Sequence, residues 1–584
     1  MTAEAAALPG APAFAGPVLG TLRLPAAEAE RAAVLALRNP RPVPGGRTVY
    51  AAVTRFAREE PGRTAVLDGE RAVGYAGLLE RATTLAALLD GRGIRRGDVV
   101  GVVGARGADV LAAFLATESI GAVYLPVEPG WPARRVADVL RRGDAACLLR
   151  CPGADVSAAS AGAEEAGVPA LSSGPAASGR TDPGTDTRTD ARTDARTETA
   201  TDTPTDPSRA AAAVAPDDPA YVIFTSGTTG APKGAVVERR GMLNHLWAKI
   251  DGLGLGPDDV LAFTAPLAFD ISLWQMLAPL LVGAAVAVVA DPDLAYPRRL
   301  SGALGRSGAT VVELVPTMAG WLAAQAEREG AGTLPRLRAL VSTGEELKPT
   351  VAARIMSALP GVGLFNAYGP TECSDDVTHH TVTEADLTRP RLPVGVPVAN
   401  AVLYVLVADA VDGSWRAAGP GEAGDLFVGG LPVGRGYVND AVTTASAFFT
   451  DCLDPHSPTG RLYRTGDLAR VEDGAVHYLG RGDRQVKVAG VRMELDEIEI
   501  ALGRHPGLDQ CAVTVTDGEL AAHYVPSPGT DEPSRAELKC FLSATLPPAL
   551  VPGRWSRLDR LPLTANGKVD HSSLQDTSHR KGQR

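Results

Sequence analysis

The sequence lacks recognisable cysteine motifs and long apolar runs. Its 584 residues include six cysteines, and no two of them form a CxxC pair or a metal-ligand spacing. Neither a disulfide framework nor a zinc site is therefore predicted. No apolar run approaches the roughly 20 residues of a transmembrane helix, and the Ala/Pro-rich start has no basic leader region. These absences predict reduced thiols in a cytoplasmic protein without a membrane partner.

An excess of positive charge is also missing. The formal net charge is −11 and no basic stripe is present, which argues against nucleic acid as a partner. The chain is 45% hydrophobic and 21% charged, a composition that is typical of soluble globular proteins. Its length allows up to about four domains.

Short apolar strands alternate with helical patterns along much of the chain. Residues 78–89 and 110–119 carry apolar side chains at helical spacing, and residues 99–103 form a short apolar run. This alternation predicts an α/β fold with mostly parallel sheets packed with helices. The alternation of strands and helices resumes from Asp218 to about Gly482. A smaller α+β unit is predicted beyond that point.

The domain boundaries follow from these patterns. Residues 1–44 are expected to be a partly disordered N-terminal extension, residues 45–482 a large core domain, and residues 483–584 a small C-terminal lid domain. Residues 180–208 repeat Thr-Asp and Ala-Arg-Thr-Asp units with almost no large apolar residue. Such a segment buries too little surface to offset its ordering entropy. A disordered insert over residues 153–216 is therefore predicted, with a docking tail for a partner as the alternative.

The most informative segment is YVIFTSGTTGAPKG at residues 221–234. Its apolar part suits a strand buried on both faces, while its glycines, hydroxyls and single lysine suit a phosphate-binding loop. It is not a Walker loop, because Pro232 precedes Lys233 and Gly234 follows it. The predicted phosphate-binding residues are Thr225, Ser226, Gly227, Thr228, Thr229, Gly230 and Lys233.

This segment resembles the phosphate-binding signature of the adenylate-forming superfamily, which includes peptide-synthetase adenylation domains, acyl-CoA synthetases and luciferases. Four further segments resemble motifs of that family in the family's order: NAYGPTE at 366–372, YRTGDL at 463–468, GRGD at 480–483 and LPLTANGKVD at 561–570. The resemblance runs from about residue 48 to residue 570. It implies a large domain and a lid domain that rotates about a hinge at Asp483.

The resemblance also implies the cofactors ATP and Mg²⁺ and a reaction in which a carboxylate and ATP give an acyl-AMP and pyrophosphate. Lys568, Glu372 and Thr225 are the implied catalytic residues, and Glu372 is the implied ligand of Mg²⁺. The remaining residues implied to bind the nucleotide are Asn366, Ala367, Tyr368, Gly369, Thr371, Asp467 and Arg481.

The segment FDISLW at residues 269–274 resembles the peptide-synthetase element whose aspartate binds the α-ammonium group of an amino acid. Asp270 as a helix N-cap is the simpler alternative. By the family pattern, the substrate pocket comprises Asp270, Ile271, Trp274, Glu313, Val341, Thr343, Ala367, Asp375, Asp376 and Lys568.

Three of these residues, Glu313, Asp375 and Asp376, are acidic in addition to Asp270. Because an unpaired carboxylate in a pocket is costly, a basic amino acid is the expected substrate: ornithine, lysine, arginine, diaminobutyrate or a capreomycidine-like cyclised arginine. Trp274 would limit its length or offer a cation–π face. The alternative is that Asp375 or Asp376 points away, or pairs with a neighbour such as His379.

The partner implied by the resemblance is a carrier protein. A carrier domain needs roughly 80 residues, and the chain stops shortly after Lys568, so a freestanding enzyme is expected to load the phosphopantetheine thiol of a carrier protein in trans. An MbtH-like helper protein is left open. The competing interpretations are an acyl- or aryl-CoA ligase and a non-catalytic nucleotide-binding scaffold.

Overall fold

The large domain contains two mostly parallel sheets with helices packed between them and a third sheet that is antiparallel. In this computed structural model the described residues are 14, 16–42, 48–173, 214–227, 231–482, 484–528, 531–562, 569–571 and 573–575. Numbered α1 to α15 in chain order, the helices of these ranges are Ala26–Leu35, Val49–Glu59, Tyr75–Asp90, Ala108–Ser119, Ala133–Arg142, Ser157–Ala166, Arg239–Leu253, Asp270–Val282, Asp291–Leu294, Pro297–Ser307, Pro316–Glu329, Pro349–Ala358, Ala441–Ala447, Leu495–Leu502 and Arg535–Ser543.

The strands, numbered β1 to β28 in the same way, are Leu37–Arg38, Thr64–Asp68, Arg71–Gly74, Val99–Val103, Val123–Val127, Ala145–Arg150, Ala170–Ser172, Pro219–Thr225, Lys233–Glu238, Val260–Phe263, Ala285–Val288, Val311–Leu314, Ala339–Ser342, Gly363–Tyr368, Thr378–Thr381, Val396–Pro397, Ala401–Ala408, Trp415–Ala417, Gly424–Gly430, Gly436–Tyr437, Phe448–Thr450, Arg461–Glu472, Ala475–Arg481, Gln485–Val488, Val491–Glu494, Leu508–Thr516, Glu519–Pro526 and Arg554–Arg557. The predicted strand at 99–103 and the predicted helices at 78–89 and 110–119 are found within these elements.

The first sheet has the strand order β20-β9-β8-β5-β4-β6-β7, and the second has the order β16-β15-β14-β13-β12-β10-β11-β2-β3. Pairing is parallel from β7 to β8 in the first sheet and from β2 to β14 in the second. A third sheet, built around β17, β19 and β22, is antiparallel. The predicted α/β class with a smaller C-terminal domain is confirmed.

The main core lies between the first two sheets. One continuous cluster of buried side chains contains Val100 and Tyr124 of the first sheet together with Leu261 and Val286 of the second. Helix α4 lies within that cluster, and each of its residues but one is buried, as expected of a helix covered on all sides. The small domain has its own core around Ile498, Val513 and Leu538.

Most of the N-terminal extension that the structure describes is packed against the large domain. Residues 16–42 pack on the third sheet, where β1 pairs with β17 in the register Leu37↔Leu403. Leu22 and Ala32 are buried against that sheet. The packed part of the large domain therefore begins well before residue 45, because a short strand and one small apolar helix face complete the sheet.

The expected disordered insert was predicted to begin too early in the chain. Residues 157–166 form helix α6, and β7 pairs with β6 in parallel. Ala159 and Ala163 are buried in the core of the first sheet. Gly162 lets α6 lie close to α5, because a Cβ atom there would be 2.4 Å from the carbonyl oxygen of Ala133. Alanine and glycine thus pack this helix without large apolar residues, and the repeats at residues 180–208 lie outside the described residues.

Candidate active site

A cavity of about 1390 Å³ opens between the large domain and the lid. Its walls include the ends of two strands of the large domain, at Thr225 and Tyr368, and the lid hairpin formed by β24 and β25. Ligand sites in α/β proteins form at such carboxyl ends of parallel strands. The predicted site residues that line the cavity are Thr225, Ser226, Asp270, Ile271, Thr343, Asn366, Ala367, Tyr368, Gly369, Thr371, Asp375, Asp467 and Arg481.

Several predicted residues do not line this cavity. Gly227, Lys233, Glu372, Trp274, Glu313, Val341 and Asp376 lie behind its walls. The predicted residues Thr228, Thr229, Gly230, Asp483 and Lys568 lie outside the described residues.

One side of the cavity, which we call the Tyr368 side, consists of Asn366, Tyr368, Asp467 and Arg481. The Tyr368 hydroxyl donates to the Asp467 carboxylate, and Arg481 Nη1 donates to Asp467 Oδ1 over 2.7 Å. Burial and the neighbouring Asp467 carboxylate raise the pKa of Tyr368, so its phenol stays protonated as a donor. Asn366 is held by its amide, which donates to the Pro393 carbonyl over 2.8 Å. This side therefore presents an aromatic ring next to a carboxylate that two hydrogen bonds hold in place.

Glu372 lies next to the Tyr368 side and is engaged by two partners. Its Oε1 accepts from the Tyr437 hydroxyl over 2.7 Å, and its Oε2 pairs with Arg492 Nη1 over 2.7 Å. Although burial opposes ionisation, Arg492 and Lys233 lower the pKa of Glu372 to about 2. A buried, ionised carboxylate is the kind of hard oxygen ligand that Mg²⁺ prefers, so the residue fits the implied metal once Arg492 moves away.

The lid hairpin also contacts Ser226 and Lys233, two of the predicted phosphate-binding residues. The Ser226 hydroxyl donates to the Arg492 carbonyl over 3.2 Å and accepts from the Glu494 amide over 3.0 Å. Lys233 Nζ is 3.6 Å from the Glu494 carboxylate. Burial, followed by the neighbouring Arg492, lowers the pKa of Lys233. The sequence analysis did not assign roles to Arg492, Glu494 or Tyr437, because their part in the site depends on how the lid is placed.

The other side of the cavity, which we call the Asp375 side, consists of Asp270, Ile271, Thr343 and Asp375. Asp270 is the first residue of α8, and its Oδ1 accepts from the Ile271 amide over 3.0 Å. Burial raises its pKa, although a hydrogen bond from the Thr371 side chain opposes this. Asp270 therefore combines a local bond at a helix start with a place in the cavity wall.

Glu313 and Asp376 already have a cationic partner within the protein, so they do not need a basic substrate to offset their charge. Lys249 of α7 makes an ion pair with Asp376, and its Nζ is 3.1 Å from Glu313 Oε1. Trp274 Nε1 donates to Glu313, and His379 Nε2 is 3.3 Å from Asp376 Oδ2. The alternative of a local His379 partner is thus found, but the stronger partner is a lysine that the sequence analysis missed.

Trp274 also differs from its expected role. The side chain is completely buried, and Lys249 Nζ lies 4.6 Å from the centre of its ring. The ring therefore offers its cation–π face to a lysine of the protein rather than to the cavity.

Asp375 is the acidic residue that keeps a free oxygen. It lines the cavity and adopts a φ of 87°, an uncommon conformation for a residue other than glycine. Among the described residues its Oδ2 has no hydrogen-bond partner, and His245 Nε2, 3.8 Å away, has none either. Burial and the adjacent Asp376 raise the pKa of Asp375, while burial and Lys249 lower the pKa of His245 to about 3. Unpartnered, buried polar groups of this kind point to a ligand.

A metal ion does not fit the Asp375 side well. Ligand atoms of His245, Asp375 and Asp376 lie within 4.8 Å of one another. The Lys249 ammonium group, however, already lies against Asp376 Oδ2, and its positive charge would repel a bound cation.

Comparisons with known proteins agree with this geometry. Residues 53–438 match the family model described as AMP-binding enzyme, and residues 497–568 match the model of the AMP-binding enzyme C-terminal domain. The chain therefore belongs to the AMP-binding enzyme family. This confirms the resemblance to the adenylate-forming superfamily that its motifs indicate, and with it the class of enzyme.

Several similar proteins are peptide synthetases. Phosphinothricin tripeptide synthetase PhsB of Streptomyces viridochromogenes is 35% identical over 514 residues, which cover 86% of this chain and 40% of PhsB. The solved structure of holo-PA1221, a nonribosomal peptide synthetase (NRPS) protein with adenylation and PCP domains, is 28% identical with a TM-score of 0.72, and the match covers 92% of this chain and 84% of that one.

A third match is holo-AB3403, a four-domain nonribosomal peptide synthetase bound to AMP and glycine. It is 28% identical with a TM-score of 0.62, and the match covers 92% of this chain and 37% of that one. The chain spans less than half the length of the curated relatives it matches. In the part of the chain that the structure describes, no helix is long and apolar enough to cross a membrane.

Proposed function

We propose that the protein activates an α-amino acid with ATP and transfers the aminoacyl group to the phosphopantetheine thiol of a carrier protein in trans, in nonribosomal peptide biosynthesis. The observation that carries this proposal is that Asp270 shares one cavity with Tyr368 and Asp467. An amino acid bound there would offer its α-ammonium group to Asp270 with its carboxylate directed at a nucleotide. The AMP and glycine bound by holo-AB3403 support the same pairing of ligands.

In the first step a carboxylate oxygen of the amino acid attacks the α-phosphorus of ATP. The new bond joins that oxygen to the phosphorus, and the bond to the bridging oxygen breaks, so that pyrophosphate leaves. Thr225, Ser226 and Lys233 would hold the β and γ phosphates, and Glu372 would hold Mg²⁺, which neutralises charge on the phosphates. Lys568 is proposed to bridge the carboxylate and phosphate oxygens as a point charge.

In the second step the carrier thiol attacks the carbonyl carbon of the aminoacyl-AMP, and AMP leaves. The contacts of the lid hairpin suit this step better than the first. Ser226, Lys233 and Glu372 are all engaged by Arg492 or Glu494 here, so they are not free to bind a triphosphate. We propose that the lid rotates about Asp483 between the two steps. The adenylation and PCP domains of holo-PA1221 support a carrier protein as the partner.

The proposed substrate is a basic amino acid, such as ornithine, lysine, arginine, diaminobutyrate or a capreomycidine-like residue. This part of the proposal depends on Asp375, since Glu313 and Asp376 are already paired. Asp375 lines the cavity and has an unpartnered carboxylate oxygen. A cationic side chain would supply a charge-assisted hydrogen bond to that oxygen and so offset the cost of burying it.

The test is amino-acid-dependent exchange of pyrophosphate into ATP by the purified chain. The panel should contain basic, neutral, acidic and aryl carboxylic acids, with and without an MbtH-like helper protein. Exchange confined to basic amino acids is the expected result. Exchange with an aryl or fatty acid would favour the CoA-ligase alternative, and ATP binding without any exchange would favour the non-catalytic one.

A further inference from the structure

Lys249 is a completely buried lysine in the middle of helix α7. Burying an ammonium group costs several kcal/mol unless it is paired and hydrogen-bonded. Its neighbours raise its pKa despite that burial, chiefly through Asp376 and Glu313. The residue therefore remains charged, and its charge lies behind the wall of the cavity.

The two carboxylates that contact Lys249 are saturated without a ligand. Glu313 binds Lys249 through Oε1 and accepts from Trp274 through Oε2. Asp376 binds Lys249 through Oδ2 and accepts from the Thr343 hydroxyl through Oδ1 over 3.3 Å. Neither side chain lines the cavity. A substrate would meet Thr343 and Asp375, with the Lys249 network directly behind them.

Asp375 differs from these two carboxylates in its place at the cavity and in its lack of a partner. Asp375 is one of the residues that line the cavity, it makes no contact with Lys249 within ion-pair distance, and its buried Oδ2 has no hydrogen-bond partner among the described residues. The nearest basic group is His245, at 3.8 Å. The backbone holds Asp375 close to the Gly369 turn, where a Cβ atom at position 369 would lie 2.0 Å from the Asp375 carbonyl oxygen.

We propose that Lys249 is a positioning residue for specificity: it binds Glu313 and Asp376 from behind the pocket wall, so that Asp375 alone selects the basic end of the substrate side chain. The proposal depends on the function proposed above. It assigns the discrimination between basic and neutral side chains to one carboxylate, although three acidic residues lie at this end of the pocket.

The experiment measures kcat/KM in pyrophosphate exchange for pairs of amino acids that differ only in the terminal amine. Ornithine is compared with norvaline, lysine with norleucine, and diaminobutyrate with 2-aminobutyrate. Asp375→Asn should lower the basic-to-neutral ratio about 10- to 100-fold, the value of a hydrogen bond to a charged group. Asp376→Asn and Glu313→Gln are the matched controls and should change the ratio by less than about threefold, because both side chains already bind Lys249 and neither lines the cavity.

Lys249→Met gives the second readout. Removing the cation leaves Glu313 and Asp376 uncompensated, so the basic-to-neutral ratio should rise about tenfold even while the absolute rates fall. A merely structural lysine would lower kcat/KM for both members of a pair equally. Binding of AMP and the melting temperature report whether each variant is folded, and if Lys249→Met is not, the comparison of Asp375→Asn with Asp376→Asn decides.

The failures can be told apart. If the parent chain shows no amino-acid-dependent exchange, the proposed function is wrong. If the parent is active but prefers the neutral member of each pair, or if Asp376→Asn lowers the ratio as much as Asp375→Asn, adenylation stands and the role of Lys249 is overturned.

Discussion

The Tyr368 side and the Asp375 side of the cavity are built in different ways. On the Tyr368 side, residues from consecutive motifs contact one another directly, as Tyr368 and Arg481 both do with Asp467. On the Asp375 side, the state of each carboxylate depends on Lys249, which lies 64 residues before Glu313 in the chain. Motif positions are therefore enough to assign contacts on the first side, whereas charge balance on the second requires the packed structure.

This difference predicts that the two sides can be damaged separately. Asp270→Ala should have the largest effect, because it would leave the substrate α-ammonium group buried without its partner, at a cost of about 3–5 kcal/mol. Amino-acid-dependent exchange should fall about 100- to 4000-fold. Isothermal titration with AMP should give an unchanged affinity. A large loss of AMP binding would mean that the two sides are not independent.

Asp467→Ala is the matching change on the Tyr368 side. It removes the carboxylate that Tyr368 and Arg481 hold, and with it the proposed hydrogen bonds to ribose. We expect the KM for ATP to rise about 10- to 100-fold, as for lost hydrogen bonds to a charged group. The KM for the amino acid, measured at saturating ATP, should stay within about twofold. A larger change in the amino-acid KM would contradict the expectation that the two sides of the cavity can be damaged separately.

Burial of His245 on the Asp375 side predicts a pH dependence of stability. Its pKa is lowered to about 3 in the folded protein, so the unfolded chain binds the proton more readily. The stability that neutral His245 contributes is complete above its unfolded pKa and is lost as the pH falls toward the folded value. From pH 7 to pH 5 the loss should be about 2 kcal/mol. Urea unfolding at both pH values measures it, and His245→Gln should remove this part of the difference.

The smallest effect is expected where the lid meets the Tyr368 side. Arg492→Met removes the ion pair with Glu372, which MgATP must displace. The KM for ATP in pyrophosphate exchange should therefore fall only about threefold, because the loss of this competing pair is partly offset by the cost of leaving the buried Glu372 carboxylate without it. Glu372→Gln is the control that loses both the ion pair and the metal ligand, and it should raise that KM instead. An unchanged KM in Arg492→Met would show that the lid contacts do not compete with ATP.

Local patterns predicted much of the fold. The strand Val99–Val103 and the helix Ala108–Ser119 were found where their apolar spacing placed them, because short-range periodicity reflects which face is buried. The same reasoning failed at residues 157–166. That segment is rich in alanine and glycine, and only its close contact with α5 shows that small residues there form a packed face.

The candidate site shows the same division. Thr225 and Tyr368 lie at strand ends, so the order of residues along the chain was sufficient to bring them to one cavity. Lys249 gave no such signal, since a lone lysine in a helix is usually exposed. Its two acidic partners lie on a strand and a loop that are remote in sequence.

The sequence by itself determined the class of fold, the family and the residues at the Tyr368 side, because each depends on short segments whose spacing is read directly along the chain. The tertiary structure alone decided which carboxylates of the Asp375 side are free and which are paired. The physical reason is that the cost of a buried charge is set by its nearest partners in space, and the nearest partner of Glu313 and Asp376 comes from a distant helix.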